Sequence, residues 1–260
     1  ESGKALALIE ESLRMDPFNY GARFERYLIT RDLSELEILR ELMRGESSNY
    51  EEVGLDYLSA GQYQEAVYFW KWAVERIHTS PMIWYYLAYA ESRSGKNPVV
   101  SLEKAARHAP DYCFPNRLED IVILEWVKEQ MPDDAKAPYY LGNLWYDKRQ
   151  YEEAVKNWEL SIALDDTFPT VYRNLSLAYF NKLDRKQEAI RLLEKAFELD
   201  TTDARILMEL DQLYKRVCRP HSERLSLLDK YPELVLQRDD LYLEQITLWN
   251  QTGDYEKAME

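Results

Sequence analysis

A recurrence of 34 or 35 residues constrains the fold of this chain more than any other feature of its 260 residues. Three kinds of position keep that spacing in step. A first-helix site, small or polar in five of its six occurrences, falls at Gly54, Ala88, Gly142, Ser176, Asp211 and Ile246. An aromatic site falls at Trp145, Tyr179, Tyr214 and Trp249, and an alanine site at Ala66, Ala154, Ala189 and Ala258. A period of this length predicts an array of helical hairpins, each packed only on its neighbours.

The best-preserved repeat indicates why such hairpins pack closely. Its first helix carries Leu141, Gly142 and Trp145, and its second helix carries Ala154. Two antiparallel helices can cross closely where Gly142 faces Ala154, while larger residues fill the space on either side. On these residues the chain resembles the tetratricopeptide repeat family over nearly its whole length. The resemblance implies an all-α fold, a right-handed α-solenoid of helical hairpins.

Proline and glycine mark the helix boundaries that these hairpins require. Helix starts are predicted where a proline follows a capping or loop residue, at Ser80-Pro81, Asn97-Pro98 and Phe168-Pro169. Turns after first helices are predicted at Gly61, Gly95 and Gly253. Glycine suits these turns because it adopts the left-handed conformation at little cost.

The recurrence is interrupted once, near 111–133, because Ala88 and Gly142 are 54 residues apart rather than 34. We expect an additional helix near Asn116–Gln130 in a connector, 113–134; a helix missed elsewhere is the alternative. The N-terminal lobe, 1–112, is predicted to hold a partial first repeat and hairpins near 20–46, 47–80 and 81–112. The C-terminal lobe, 135–260, is predicted to hold hairpins near 135–168, 169–203 and 204–238 and a truncated repeat, 239–260. Both ends fall inside hairpins, so we expect a piece of a longer protein.

Charge and cysteine content argue against several classes of partner. The formal net charge is −14 and basic residues are interspersed with acids, so we expect neither nucleic acid nor a membrane as partner. No apolar run approaches the roughly 18 residues that span a bilayer. Cys113 and Cys218 lie far apart and predict neither a disulfide framework nor a metal cluster. A reducing, cytoplasmic compartment is the resulting expectation.

The sequence holds no constellation of catalytic residues, so we expect a protein that is not an enzyme and needs no metal or cofactor. His78, His108 and His221 lie in separate repeats and are interpreted as helix-end or solvated groups. A glycine-rich phosphate loop, a zinc-protease helix motif and a nucleophile elbow are missing from the sequence. The acidic pairs Asp133-Asp134 and Asp239-Asp240 stand at predicted helix starts, where carboxylates cap backbone amides.

The family resemblance places a binding surface on the concave face of the array, lined by first-helix residues. The candidate partner-binding residues are Tyr85, Tyr89, Tyr139, Asn143, Tyr146, Arg173, Asn174, Leu177, Phe180, Arg205 and Gln212. Side chains of these types are enriched where partners dock, and they predict a groove that binds a peptide segment or a partner domain. The alternative is that some of the tyrosines fill gaps between repeats with their hydroxyls in water.

A carboxylate clamp is a sharper hypothesis for this groove. Some tetratricopeptide co-chaperones hold a C-terminal carboxylate with Lys, Asn and Arg side chains, and three positions match here: Asn143, Asn174 and Arg205. Tyr139 replaces the first lysine of that pattern and Glu209 its last arginine. Because the Glu209 carboxylate would repel a carboxylate ligand, we expect a groove without a working clamp.

The tryptophans divide by their place in the repeat. Four occupy repeat positions and are predicted to be core residues: Trp70, Trp158, Trp145 and Trp249. Two stand outside those positions and are predicted to form exposed contacts or a contact between the lobes: Trp72 and Trp126.

Three strings go beyond the general repeat: Cys113–Glu119, Ala137–Leu144 and Arg238–Leu241. They are similar to the helical tail of large bacterial proteins in which an N-terminal β-sandwich domain of uncharacterised function precedes the repeats. That domain is itself similar to carbohydrate-binding, mutarotase-like sandwiches. The resemblance implies an interaction arm of a glycan-related protein.

Three functions remain in competition. The first is a scaffold for protein–protein interaction, whose groove holds a peptide or domain of a partner or of the protein's own missing domains. The second is a non-catalytic appendage that positions a glycan-related or enzymatic domain. The third is self-association into a homo-oligomer through exposed ends of the solenoid.

Overall fold

The computed structural model describes residues 2–75, 80–110 and 112–259. All regular secondary structure in this part of the chain is α-helical, which confirms the all-α prediction. The helices divide between two compact units, unit 1 (Glu1–Pro132) and unit 2 (Asp133–Glu260).

Unit 1 is built from helical hairpins and one added helix. Its helices are α1 (Ser2–Met15), α2 (Tyr20–Thr30), α3 (Ser34–Met43), α4 (Ser47–Ser59), α5 (Tyr63–Val74), α6 (Pro81–Arg93), α7 (Val99–Arg107) and α8 (Leu118–Gln130). The pairs α2/α3, α4/α5 and α6/α7 form hairpins, and α1 packs against α2. The added helix, α8, packs against α6 and lies where the sequence recurrence is interrupted.

Unit 2 begins as a regular array and becomes irregular towards its end. Its helices are α9 (Lys136–Asp147), α10 (Tyr151–Leu164), α11 (Pro169–Asn181), α12 (Lys186–Leu199), α13 (Ala204–Arg216), α14 (His221–Leu228), α15 (Pro232–Val235) and α16 (Asp239–Thr252). The pairs α9/α10 and α11/α12 form hairpins, and α16 packs against both α14 and α15. The helix after α13 is thus split in two, because Pro232 cannot donate the backbone hydrogen bond that a continuous helix needs.

Glycine at the small-residue site makes room for a tryptophan of the paired helix. A Cβ atom on Gly142 would lie 2.4 Å from Cδ1 of Trp158, and one on Gly54 would lie 2.1 Å from Cε2 of Trp70. The atoms nearest to the Gly142 position belong to Trp158 rather than to Ala154, which is fully buried in the same hairpin. The indole, rather than a second small residue, fills the space that glycine leaves open.

Later repeats use the same position differently. The Ser176 hydroxyl donates to the carbonyl oxygen of Ala189 at 2.7 Å. In the next repeat the position holds Asp211, and Arg224 stands 13 residues later, as Ala189 does after Ser176. Arg224 donates from Nε and Nη2 to the two carboxylate oxygens of Asp211 at 2.9 and 2.7 Å, and both side chains are buried. A buried ion pair thus replaces the contact of small residues in this repeat.

The predicted helix boundaries agree with the structure except in their capping bonds. Pro81 and Pro169 lie in the first turns of α6 and α11. Ser80 is the N-cap of α6, but its hydroxyl accepts no hydrogen bond from the first turn of that helix and instead donates to Glu51 Oε1 at 2.7 Å. Gly61, Gly95 and Gly253 have φ of 74°, 76° and 88°, as turns after first helices require. Residues 255–259 form turns, where the repeat pattern predicts a second helix.

The tryptophans only partly follow their predicted burial. Trp70 and Trp158 are buried as predicted, whereas Trp145 and Trp249 are partly exposed. The prediction of an exposed Trp72 is wrong, because its side chain is buried beside the rings of Tyr50 and Phe69. Trp72 faces inwards because Tyr50 on α4 and Phe69 on α5 form an aromatic cluster, which the repeat spacing alone does not reveal.

Candidate functional site

The predicted groove residues of unit 2 lie on three successive first helices. Asn143 and Tyr146 belong to α9, Arg173, Asn174, Leu177 and Phe180 to α11, and Arg205 and Gln212 to α13. The structure connects several of them by hydrogen bonds between repeats. We call the connected side chains the polar ladder, which consists of Trp158, Asn143, Asn174, Arg173, Glu209 and Arg205.

The two asparagines form the centre of the polar ladder. Asn143 Oδ1 accepts hydrogen bonds from Trp158 Nε1 at 3.1 Å and from Asn174 Nδ2 at 3.0 Å. Because its oxygen accepts both bonds, the amide NH2 of Asn143 keeps its two donors, and neither is used by a residue that the structure describes. Asn174 keeps one N–H donor, and its Oδ1 accepts from Arg173 Nη1 at 3.2 Å. Both side chains are partly exposed.

An internal carboxylate occupies the cationic end of the ladder. Glu209 accepts hydrogen bonds from Arg173 through both carboxylate oxygens, one of them from Nε at 2.6 Å. It also accepts from Arg205 Nε at 3.1 Å. The side chains of Arg173 and Glu209 are only 14% and 13% exposed, while that of Arg205 is 62% exposed. The two guanidinium groups that would attract a peptide carboxylate are therefore already paired.

Apolar members of the predicted groove differ in what they expose. Leu177 and Tyr146 are partly exposed, and the Tyr146 ring lies 5.5 Å from that of Trp158, beneath Asn143. Phe180 is nearly buried under the guanidinium of Arg216. Tyr139 is buried against Phe168, with ring centroids 4.8 Å apart. Tyr139 therefore contributes to packing within the array.

The two predicted groove residues of unit 1 have different environments. Tyr85 is fully buried, so it offers no surface to a partner in this conformation. Tyr89 is partly exposed and meets Trp126 of α8 edge to face, with ring centroids 5.2 Å apart. Tyr89 and Trp126 line an open cleft of about 520 Å³ between α6 and α8.

Tyrosines at the aromatic repeat site join neighbouring hairpins in unit 2. The Tyr179 hydroxyl donates to Glu159, and the guanidinium of Arg185 lies 3.7 Å above the Tyr179 ring. Tyr214 repeats this arrangement with Glu194 and Arg219. Burial, reinforced by the adjacent Glu159 carboxylate, raises the pKa of Tyr179 to about 12, and the same causes raise the pKa of Tyr214. These contacts hold repeats together and lie within the array.

The histidines occupy unrelated places. His108 caps the end of α7 and stacks on Trp84, with ring centroids 6.1 Å apart. His221 is the exposed first residue of α14, and His78 lies outside the described residues. Across the described ranges, no group of three His, Cys, Asp or Glu side chains is placed to hold a metal ion. None of the helices in those ranges is both long and apolar enough to cross a bilayer.

The sequence pattern missed two features of these surfaces. Glu209 stood out as a departure from the carboxylate clamp, but its pairing with Arg173, 36 residues earlier, could not be predicted from the repeat. Arg224 occupies a position held elsewhere by alanine, and the acidic residue at Asp211 is the signal that could have revealed the pair.

Comparisons with known proteins return helical repeat proteins at low identity, and no family model matches the chain. The mitochondrial import receptor subunit TOM70 of Saccharomyces cerevisiae is 23% identical over 154 residues, and the same match occurs in two strains. The match covers 56% of this chain and 21% of the relative, so the chain spans about a fifth of the length of these curated relatives.

Three solved structures with similar folds are 17% to 20% identical in sequence to this chain. The crystal structure of yeast Tom70 has a TM-score of 0.46 at 17% identity, covering 95% of this chain and 49% of that one. PilF of Pseudomonas aeruginosa has a TM-score of 0.45 at 19% identity, covering 82% of this chain and 87% of that one. MamA of Desulfovibrio magneticus RS-1 has a TM-score of 0.42 at 20% identity, covering 74% of this chain and 97% of that one.

Proposed function

We propose that this chain is a protein-interaction scaffold and that the polar ladder of unit 2 binds an extended peptide segment of a partner. The observation that carries the proposal is the Asn143–Asn174 hydrogen bond, which fixes two partly exposed carboxamides on successive repeats, each with an N–H donor that no described residue uses. An extended peptide presents backbone carbonyls that need such donors, since its own backbone forms no internal hydrogen bonds.

The surroundings of the two asparagines support a peptide rather than a small charged ligand. Leu177 and Tyr146 supply partly exposed apolar surface on either side of them, and Gln212 adds a further carboxamide on α13. The single carboxylate of Glu209 pairs with both Arg173 and Arg205 and offsets one of their two positive charges. Backbone and apolar contacts would therefore dominate over recognition of a free carboxylate. The name of the TOM70 relatives, an import receptor subunit, supports a binding function of this general class.

The proposal is tested with peptides selected from a random display library against the immobilised chain. Their dissociation constants are measured by fluorescence anisotropy on the wild type, on Leu177→Asp and on Leu160→Asp. Leu160 is a matched control because it is a 40% exposed leucine on a second helix of the same unit. An unpaired carboxylate at position 177 is expected to weaken binding about tenfold or more, while Leu160→Asp binds as the wild type does.

Two outcomes would overturn the proposal. Equal affinity of Leu177→Asp and the wild type would place the peptide elsewhere. Failure to select any peptide, combined with a concentration-dependent dimer in sedimentation equilibrium, would favour self-association instead. Selected peptides that bind equally well with free and amidated C termini would agree with the internal pairing of Arg173 and Glu209.

A further inference from the structure

The added helix of unit 1, α8, carries apolar residues on two opposite faces. Ile123, Leu124 and Val127 are buried in the unit. Leu118, Val122 and Trp126 follow one another at intervals of four residues and form a row on the other side. Leu118 is 72% exposed and Val122 is 59% exposed, while Trp126 is partly exposed. Apolar residues on two faces of one helix are typical of an element that is covered on both sides.

We propose that this row binds an amphipathic, basic helix of a partner protein. We call the surface the α8 face, consisting of Leu118, Val122, Trp126, Glu119, Glu125 and Glu129. It lies entirely within unit 1 and shares no residue with the polar ladder, so it is independent of the peptide site proposed for unit 2.

The charge of the α8 face argues for a basic partner. Three glutamates flank the apolar row, and only Glu125 is neutralised, by Lys128 with Nζ 2.9 Å from its carboxylate. Neither Glu119 nor Glu129 makes an ion pair with any residue in the described ranges. The guanidinium of Arg93, which also lines the cleft beside Trp126, lies over the Tyr63 ring at 5.4 Å. Two uncompensated carboxylates on a chain of net charge −14 complement lysine or arginine side chains.

The chemistry of the face argues for a helix rather than an extended strand. The backbone groups within α8 are used inside its own helix, and the side chains of the α8 face are hydrocarbons, one indole and three carboxylates. An extended peptide would find only the indole N–H of Trp126 on this face as a donor for its several carbonyl oxygens. A helix satisfies its own backbone and can lay an apolar row at i, i+4 and i+7 against Leu118, Val122 and Trp126.

The cleft between α6 and α8 provides a place for one long side chain of that helix. Tyr89 and Trp126 form its aromatic walls, and Glu129 lies at the same cleft. A lysine or arginine whose aliphatic stem packs on the rings would bring its cation to an aromatic face and to a carboxylate together. The volume of about 520 Å³ is ample for such a side chain.

The test uses three labelled synthetic peptides of about five helical turns each. The first has a leucine row flanked by lysines, the second has glutamates in place of the lysines, and the third has the composition of the first in scrambled order. Fluorescence anisotropy measures their binding to the wild type, to Val122→Asp and to Val100→Asp. Val100, 65% exposed on α7, is the matched control for Val122. Because both valines are exposed, both variants are expected to fold, and circular dichroism verifies this.

The first peptide is expected to bind the wild type and Val100→Asp equally, and to bind Val122→Asp at least about tenfold more weakly. The double variant Glu119→Lys, Glu129→Lys is expected to bind the first peptide at least about tenfold more weakly than the wild type does. Glu103→Lys, on the exposed part of α7, is expected to bind it with nearly wild-type affinity. The second and third peptides are expected to bind about tenfold more weakly than the first. Binding of the first peptide to Leu177→Asp remains at the wild-type level, which separates this surface from the polar ladder.

Three results would overturn the proposal. Equal affinity for Val122→Asp and Val100→Asp would remove the apolar row from the interface. Equal affinity for the ordered and the scrambled peptides would reduce the interaction to general charge attraction. A dimer in sedimentation equilibrium that Val122→Asp dissociates would identify a second copy of this chain, rather than a basic helix, as the occupant.

Discussion

Glu209 accepts hydrogen bonds from Arg173 through both of its carboxylate oxygens and thereby joins the first helices of two successive repeats. This pair is largely shielded from solvent and holds Arg173 against Asn174, so it sets the geometry of the polar ladder. The internal carboxylate has two consequences: it offsets one of the two positive charges of Arg173 and Arg205, and it stabilises the contact between repeats.

Replacing Glu209 with alanine is expected to lower the free energy of unfolding by about 1–2 kcal/mol, because Arg173 would keep its charge but lose its partner. Urea denaturation followed by circular dichroism measures the change. Glu188→Ala is the control, since Glu188 pairs with Arg185 on the exposed surface and is expected to contribute little. Equal losses in the two variants would show that the Arg173–Glu209 pair is no stronger than a surface pair.

Gly142→Ala is expected to destabilise unit 2 by about 1–3 kcal/mol, because the added methyl group overpacks against Trp158. The higher helix propensity of alanine offsets up to about 1 kcal/mol of this loss. The control is Gly21→Ala, where a Cβ atom would lie 3.7 Å from Asn19 Oδ1, an ordinary contact inside α2. That variant is expected to be neutral or slightly more stable. Thermal unfolding of both proteins tests the difference, which should disappear if the indole can move aside freely.

The buried pair of Asp211 and Arg224 gives the largest expected effect. Arg224→Ala leaves the Asp211 carboxylate buried without its partner and is expected to cost about 3–5 kcal/mol. The double variant Asp211→Ala, Arg224→Leu removes both charges and should recover much of that loss. Arg107→Ala, at an exposed pair with Glu103, is the control and should have little effect. A double variant as unstable as Arg224→Ala would argue against this account.

Alkaline pH is expected to weaken the array through its buried tyrosines. The pKa of Tyr179 is raised to about 12 by burial and by Glu159, so its neutral form is favoured in the folded state. The stability that this provides is fully present below pH of about 10, the ordinary tyrosine pKa, and is lost as pH rises towards about 12. Tyr179→Phe should therefore flatten the fall in stability over that window, measured by urea denaturation at each pH. An unchanged slope would contradict the assigned environment.

The hairpin array was predictable because small and aromatic residues recur at a fixed spacing along the sequence. Glycines at the turns recur in the same pattern. Contacts between repeats were not predictable in the same way. The pairing of Arg173 with Glu209 depends on how far two helices are offset, and the burial of Trp72 depends on rings contributed by α4 and α5. The helix after α13 is divided at Pro232. The prediction missed this division because it rested on the spacing of the other repeat positions.

The candidate surfaces were predictable only as positions on first helices. Of the residues that family positions named as partner-binding, Tyr89, Asn143 and Asn174 are partly exposed, whereas Tyr85 is fully buried. Whether a tyrosine faces solvent or a neighbouring hairpin depends on the crossing of the helices, which a single sequence does not specify. The α8 face lay outside the repeat and had no family position to mark it.

The central claim is that the carboxamides of the polar ladder bind the backbone of a peptide. Its most direct test is the dissociation constant of a library-selected peptide for the wild type, Asn174→Ala and Asn181→Ala. Asn181 is an exposed asparagine at the end of the same helix, α11, and serves as the matched control. The account predicts that Asn174→Ala binds about tenfold more weakly and that Asn181→Ala binds as the wild type does. Wild-type affinity in the folded Asn174→Ala variant would contradict it.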